Sequence, residues 1–525
     1  MERLTGGEAV VAQLEREGVD TAFGIPGVHT LEIYDALLDS EIDHVTTRHE
    51  QGAGFAADGY ARTTGRVGVC FIITGPGLTN VATAVGQAYS DSSPLLIVST
   101  ANATNEADRG KGHLHELKDQ QGAMEAIAAE SYHVDRVADV PETVADAFDY
   151  LDRNRPRPVH VQIPTDVLER AEPVELLDRE PAAPPTPDTE RVDEATEKLA
   201  DAERPLLVVG GGTVDAADEV RAFVEATEIP TITTAAGKGV LPADHDCCVA
   251  TAMGHEPADE FVASRDLVLA VGTELSAQDT GDTPIPDELI HVDIDPRNFG
   301  NNHETALGIV GGAGPTLDAL RERASEQGLT FDGAAEAADA APELPSIGDD
   351  DDRHHLLAVL RDALDDDAVV VNDMTKISYA ARTAFTTGAP RTFLFPRGFG
   401  TLGFSPPAAF GAAIGGDRQV VSLVGDGGFL FTVGDLATAV QEGIGLPIVV
   451  CNDDSYDILE DVQRRDYGRT MATEIENPDF VDLAESFGAA AERIEFDAVA
   501  DELPDALAAA FDRDRPTLIE VPVEF

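Results

Sequence analysis

The sequence has no tryptophan, only four cysteines and only five lysines among its 525 residues. Cys70, Cys247, Cys248 and Cys451 offer no disulfide framework and no Cys-x-x-Cys metal spacing, and adjacent Cys247 and Cys248 cannot form an ordinary bridge. A reducing compartment fits. No apolar run approaches the ~20 residues that a membrane span needs. The N-terminal stretch MERLTGGEAVVAQLEREGV lacks the basic and apolar regions of a signal peptide, so a cytoplasmic protein is expected. Positive charge is scarce as well: 36 Lys and Arg face 98 Asp and Glu, a formal net charge of −62. Nucleic acid and anionic membranes would be repelled, which disfavours both, and neither is expected as a partner. The acid is spread along the whole chain and not gathered in one tail. It reads as the solvated, salt-adapted surface of a halophile and carries no information about the reaction.

The hydrophobic fraction is 43%, enough for real cores. At a prior of ~150 residues per domain the length suggests three or four of them. Two stretches lack periodicity: 171–192, rich in Pro and acid, and 332–352, biased to Ala, Asp and Pro. Taken as linkers, they leave domains at 1–170, 193–331 and 353–525. Each piece alternates helical stretches with short apolar runs such as VGVCFII (67–73), PLLIVST (94–100), PVHVQI (158–163), PLLVVGG (205–211), LVLAVG (267–272), AVVVND (368–373), QVVSLVG (419–425) and LPIVVCN (446–452). Runs this apolar are buried on both faces, as in parallel sheets flanked by helices. The expected fold is therefore α/β, with three domains each built on a parallel sheet.

In the last piece, the strand QVVSLVG leads into Gly425-Asp426-Gly427-Gly428, and LPIVV leads into Cys451-Asn452-Asp453-Asp454-Ser455. Ligands of open α/β sheets bind at strand C-termini. Asp426 and Asp453 at neighbouring strand ends would present two carboxylates to one crevice, and the flanking glycines let backbone approach an anion. A metal-bridged diphosphate is one reading, since Mg²⁺ takes a few carboxylates plus phosphate oxygens. The other is a tight turn whose Asp caps the next helix. In the first piece, TTRHEQGAGFAADGYAR (46–62) sets Glu50 among small and apolar residues. A desolvated carboxylate is suited to proton exchange near neutral pH; alternatively, Glu50 pairs with Arg48 or His49. Ile73-Thr74-Gly75-Pro76-Gly77-Leu78-Thr79-Asn80 reads as a strand-to-helix turn that brings backbone near a ligand.

Together these blocks resemble the thiamine diphosphate-dependent enzymes of the acetolactate synthase, benzoylformate decarboxylase and pyruvate decarboxylase superfamily. The likeness runs nearly end to end. It includes FGIPGVHTLEIYDAL (23–37), the RHEQGAGFAADGYAR block, FIITGPGLTNVATAVGQAYSDSSPLLIVS, HVDIDP (291–296), GFGTLGFSPPAAFGAA (398–413) and Gly-Asp-Gly followed after 24 residues by Asn452-Asp453. The resemblance implies a pyrimidine-binding first domain, a central domain and a diphosphate-binding third domain. It implies Mg²⁺ held by Asp426, Asp453 and the Ser455 carbonyl, with Gly425, Gly427 and Gly428 at the diphosphate. Family members usually carry Asn at the Asp453 position. Glu50 would bond the pyrimidine of a partner subunit's cofactor, near Gly75. The Gly400 carbonyl would accept from its amino group, and Leu402 would hold its bent form. The implied reaction is decarboxylation of a 2-oxo acid through an enamine, which is then protonated or transferred to a second carbonyl. A homodimer is the implied minimum, and a homotetramer is the family habit.

Histidines bear on the outcome. His29 lies where carboligases and lyases of the superfamily carry an active-site His, and His113 and His115 match a loop over the cofactor. An imidazole there could relay protons; the alternative is surface loop histidines. DDDDRHH (349–355) imitates a metal cluster but has no defined spacing and reads as solvated surface. Acetolactate synthase binds FAD through its middle domain. Here the matching segments are Ala252-Met253-Gly254-His255-Glu256 and Gly272 to Asp279, with acids where that enzyme has Arg, which argues against FAD. LHELKDQQ, TELSAQD and GFGTLGF favour a decarboxylase of larger 2-oxo acids, with guanidino-oxopentanoate decarboxylase the nearest likeness and acetolactate synthase the alternative. A remoter alternative is a nicotinamide oxidoreductase, from Val209-Gly210-Gly211-Gly212-Thr213 after a strand, although the third glycine of that fingerprint is missing.

Overall fold

The computed structural model describes residues 2–106, 110–256, 258–340 and 351–525. Three six-stranded sheets, each parallel throughout, succeed one another along the chain. All eight apolar runs named above form strands of these sheets. Their residues are buried without alternation, as in Gly68–Ile72 and Val420–Gly425, because helices cover both faces.

The first sheet has the spatial order 43–46, 21–24, 68–72, 95–101, 159–164, 130–133, and the third runs 393–394, 369–372, 420–425, 447–452, 517–522, 490–493. Numbered within each sheet, both follow the order 2-1-3-4-6-5, so the outer domains share a topology that their sequences do not display. The middle sheet, 248–250, 231–233, 205–209, 267–271, 289–293, 307–310, follows 3-2-1-4-5-6, a doubly wound order. Its Gly210 and Gly212 are explained by packing: a Cβ on either would fall within 3 Å of backbone at Gly272. The glycines that prompted a nicotinamide reading thus serve the meeting of two strand-end loops.

Both stretches read as linkers are partly ordered by tertiary partners. Ala171–Val174 pairs antiparallel with Glu2–Thr5, and Gly333–Ala340 is a helix with Ala337 buried. Neither segment has a periodicity of its own, so only the distant partner reveals the element. Residues 341–350, including Asp349 and Asp350 of the acidic stretch, lie outside the described residues; Asp351 caps the following helix through Arg353 N. No described helix is long and apolar enough to cross a membrane.

The outer domains share one core. Helix Glu50–Thr64 crosses helix Ser405–Ile414 so closely that a Cβ at Gly59 would lie 1.9 Å from the Ala408 carbonyl oxygen, and one at Gly411 1.8 Å from that of Ala56. Arg62 pairs with buried Asp58 and with Asp91 while donating to the Phe395 carbonyl. The contact sets the C-terminal ends of the two sheets in one body.

Candidate active site

Glu50 opens its helix, where His49 Nδ1 accepts from Gln51 N as the cap. The carboxylate is buried and takes 2.9 Å from Asn80 Nδ2. The alternative partners are engaged elsewhere: Arg48 bonds the Thr46 carbonyl and Gln441, and its amide donates to Asp435. Gly77 faces Glu50, since a Cβ there would stand 3.0 Å from Glu50 Oε1. The preceding turn needs its glycine. Gly75 has φ 69°, and a Cβ would meet the His115 carbonyl oxygen at 2.2 Å.

Two of the three singled-out histidines come together at this turn. The His29 and His115 rings stand edge to face at 5.4 Å. His115, itself in a left-handed conformation, points Nδ1 at the Thr74 carbonyl at 3.2 Å. His29 Nδ1 is buried without a partner, and burial, with the neighbouring His115, holds its pKa below the usual value. His113 lies to one side, with Nδ1 3.5 Å from Glu106 and Nε2 buried without a partner. The loop is gathered by Glu116, whose carboxylate accepts from the amides of Gly110, Gly112 and His113. These are not free surface histidines.

At the third sheet, Gly425 precedes the helix Asp426–Phe431 without a side-chain cap. Asp426 is buried; Oδ1 accepts from Gly427 N at 2.8 Å and Oδ2 from Asn477 Nδ2 at 2.6 Å. Asp453 accepts from Ser455 N at 3.1 Å. Burial and then the charge of Asp426 push the Asp453 carboxyl up to about 7, and burial raises Asp426 as well. Two carboxylates that raise each other's cost of ionisation are what a cation would relieve. Asn477 Oδ1 is buried without a partner beside them. A Cβ on Gly427 would meet the Tyr456 ring at 2.6 Å, and one on Gly428 would meet Asp373 Oδ1 at 3.0 Å, so a larger residue at either position would have to displace a neighbour. The residues therefore fit a cation-bridged diphosphate. Among the described residues no three His, Cys, Asp or Glu converge on a metal position. A cation here would complete its shell with carbonyl, phosphate and water oxygens.

Gly400 (φ 73°) and half-buried Leu402 lie on a loop pinned from both domains. Buried Asp373 accepts from the amides of Met374, Gly403 and Ser405, while Gln87 accepts from Thr401. No hydrogen bond or ion pair among the described residues joins Glu50 to Asp426 or Asp453. Sequence reasoning gave no role to Asn80, Gln87, Asp373, Gln120 or Asn477. Asp373 could have been found, since it ends the strand AVVVND as Asp426 ends QVVSLVG. The others sit in helices or loops with no local signal.

In the segments matching the FAD-binding region of synthases, Asp279 pairs with Arg397 and is capped by Ser276. His255 Nε2 is buried without a partner.

The chain matches the N-terminal thiamine pyrophosphate-binding domain of thiamine pyrophosphate enzymes over residues 4–123, their central domain over 192–320 and their C-terminal thiamine pyrophosphate-binding domain over 373–521. It is 43% identical to a probable 2-ketoarginine decarboxylase of Pseudomonas aeruginosa, across 99% of this chain and 94% of that protein. It is 33% identical to a probable acetolactate synthase large subunit of Methanocaldococcus jannaschii, across 99% and 92%. Against the acetolactate synthase large subunit of Corynebacterium glutamicum it is 34% identical, across 99% and 87%.

Proposed function

The chain belongs to the thiamine pyrophosphate enzyme family, whose members here decarboxylate or ligate 2-oxo acids, and from that premise we propose that it decarboxylates a large, guanidino-bearing 2-oxo acid to the aldehyde and CO₂. The observation that carries the reading is the 43% identity to the ketoarginine decarboxylase over the whole chain, against 33–34% to the synthases. The domains are assigned to 1–170, 193–331 and 353–525.

When bound, thiamine diphosphate supplies a nucleophilic carbon and an electron sink for the departing CO₂. Asp426, Asp453 and the Ser455 carbonyl would hold Mg²⁺, and Gly425, Gly427 and Gly428 would let the diphosphate approach the backbone. Glu50 would exchange a proton with the bound group's pyrimidine, and Gly75, the Gly400 carbonyl and Leu402 would belong to the same binding region. His29 and His115 hold and deliver the proton that replaces CO₂, with His113 on the loop above. As the family resemblance implies, a complete site takes Glu50 from one subunit and the carboxylate pair from another. The working unit is a homodimer or a homotetramer of such dimers, cytoplasmic and independent of FAD.

The test is product analysis by NMR in high salt with Mg²⁺ and thiamine diphosphate. 5-Guanidino-2-oxopentanoate should yield CO₂ and 4-guanidinobutanal, and pyruvate should give little. Acetolactate from pyruvate would make the protein a synthase and overturn the reading.

A further inference from the structure

Gln120 is the first residue of a short helix, Gln120–Glu125, and is buried at the C-terminal edge of the first sheet. Its amide is fully used. Oε1 accepts from Thr74 Oγ1 at 2.5 Å and from Gly75 N at 3.0 Å. Nε2 donates to the Thr100 carbonyl at 2.7 Å and to Gln162 Oε1 at 2.9 Å. Gln162 in turn donates from Nε2 to His133 Nδ1 at 2.9 Å, and His133 Nε2 stands 3.5 Å from Asp135. On the other side, the Thr74 carbonyl faces His115 Nδ1.

The direction of each bond is fixed by its neighbour. A carbonyl only accepts, so the Thr74 contact requires the proton on His115 Nδ1. Gln162 spends its oxygen on Gln120, so its nitrogen must face His133. The series runs from Asp135 through His133, Gln162, Gln120 and the Thr74–Gly75 turn to His115, with no member opposing another. Beside it lies a cavity of about 240 Å³ lined by Thr74, Asn102, Gln120, His133 and Gln162 among others. Without Gln120, the turn would have open space to relax into on that side. Burial makes the bonds costly to leave unmade and so makes the arrangement specific.

We propose that Gln120 is a positioning residue: it locks the Thr74–Gly75 turn, and through the Thr74 carbonyl it holds His115 in the tautomer that carries its proton on Nδ1. That tautomer leaves the Nε2 lone pair of His115 free to accept a proton. The orientation of an imidazole by the bond at its other nitrogen is a general device. This rests on the placement of His115 in the site argued above, but not on the identity of the substrate.

The experiment uses the full chain with ¹⁵N-labelled histidine, the His115 signals being identified by their loss in His115→Gln. Wild type should show His115 with Nδ1 protonated and Nε2 bare at high pH. Thr74→Val removes the hydroxyl that Gln120 holds and nearly preserves volume; Gln120→Leu removes the whole anchor. Both should shift His115 toward a mixture of tautomers. Turnover should fall, on the order of 10²-fold for Gln120→Leu, since small displacements at a reacting centre have effects of that size. Thiamine diphosphate retention should be unchanged. Thr74→Ser keeps the hydroxyl and should restore the wild-type nitrogen signals. If Gln120→Leu does not fold, Thr74→Val decides alone. Unaltered His115 signals in the variants would overturn the proposal, whether or not turnover fell, because a merely structural role predicts that pattern. The nitrogen measurement needs no substrate, so its outcome stands apart from failure of the substrate assignment.

Discussion

Asn477 Nδ2 lies 2.6 Å from Asp426 Oδ2 and also within hydrogen-bond reach of Asn452 Oδ1 and Asp454 Oδ1, so one amide group ties together both strand ends of the carboxylate pair. It is a neutral side-chain donor set among acids that repel one another. Its buried Oδ1 has no partner among the described residues. Asn477→Asp would replace that donor with another negative charge. A third carboxylate beside the pair should hold the cation more tightly, so the expected result is a Mg²⁺ requirement for thiamine diphosphate binding lowered by about tenfold, measured by calorimetric titration at fixed salt. An unchanged Mg²⁺ requirement would remove Asn477 from the cation site.

Glu50→Gln keeps an oxygen to accept from Asn80, so the fold and the bound diphosphate should persist while turnover drops by ~10²-fold or more, the range for a lost acid–base group. Cofactor content and initial rate on the same preparation check this. A rate near wild type would take Glu50 out of the reaction.

Asp426→Ala should abolish cofactor retention after gel filtration in Mg²⁺, since the diphosphate would lose its cation. Mixing this variant with Glu50→Gln offers a sharper result. Neither homo-oligomer should turn over, but after dissociation and reassociation a mixed dimer would contain one site with both an intact Glu50 and an intact Asp426. Recovered activity, up to about half per mixed dimer, is expected. A mixture that reassociates but stays inactive would place both residues of a site in one chain.

Lys238, one of five lysines, is buried between the middle and third domains. Its ammonium donates to Thr251 Oγ1 and to the Phe385 carbonyl, and it has no carboxylate partner among the described residues. Burial pushes its pKa down to about 7 from 10.5. Between those values the unfolded chain binds a proton that the folded chain does not, so stability rises with pH across this window and the burden of a buried charge is heaviest below pH 7. Lys238→Met should remove that component. Denaturant midpoints measured from pH 6.5 to 10 should climb more steeply in wild type than in the variant. Parallel curves would refute the assignment.

The apolar runs were legible because central parallel strands are buried on both faces and need no partner-specific pattern. Edge elements were not. Ala171–Val174 is a strand only because Glu2–Thr5 lies beside it, and nothing in AEPV announces that. The site divides in the same way. Asp426, Asp453, Glu50 and Gly75 stand at strand ends or helix starts, positions that local sequence marks. Asn477 and Gln120 act through contacts with residues 51 and 46 positions away, and side-chain amides carry no periodicity to betray them. The loop histidines lay between: their presence was visible, but the pairing of His29 with His115 and the turning aside of His113 toward Glu106 were not.

The glycine-to-carbonyl crossing of helix Glu50–Thr64 with helix Ser405–Ile414 bears on how the protein is made. The earlier helix leaves the ribosome well over three hundred residues before its mate. At ~5–20 residues per second that is roughly a minute or less, but long compared with hydrophobic collapse. During that interval the small-residue face around Ala56 and Gly59 has no cover. The nascent first domain is thus an open half of a core and a natural client for chaperones, and truncation before residue 405 should yield chains that aggregate and do not fold as an independent unit.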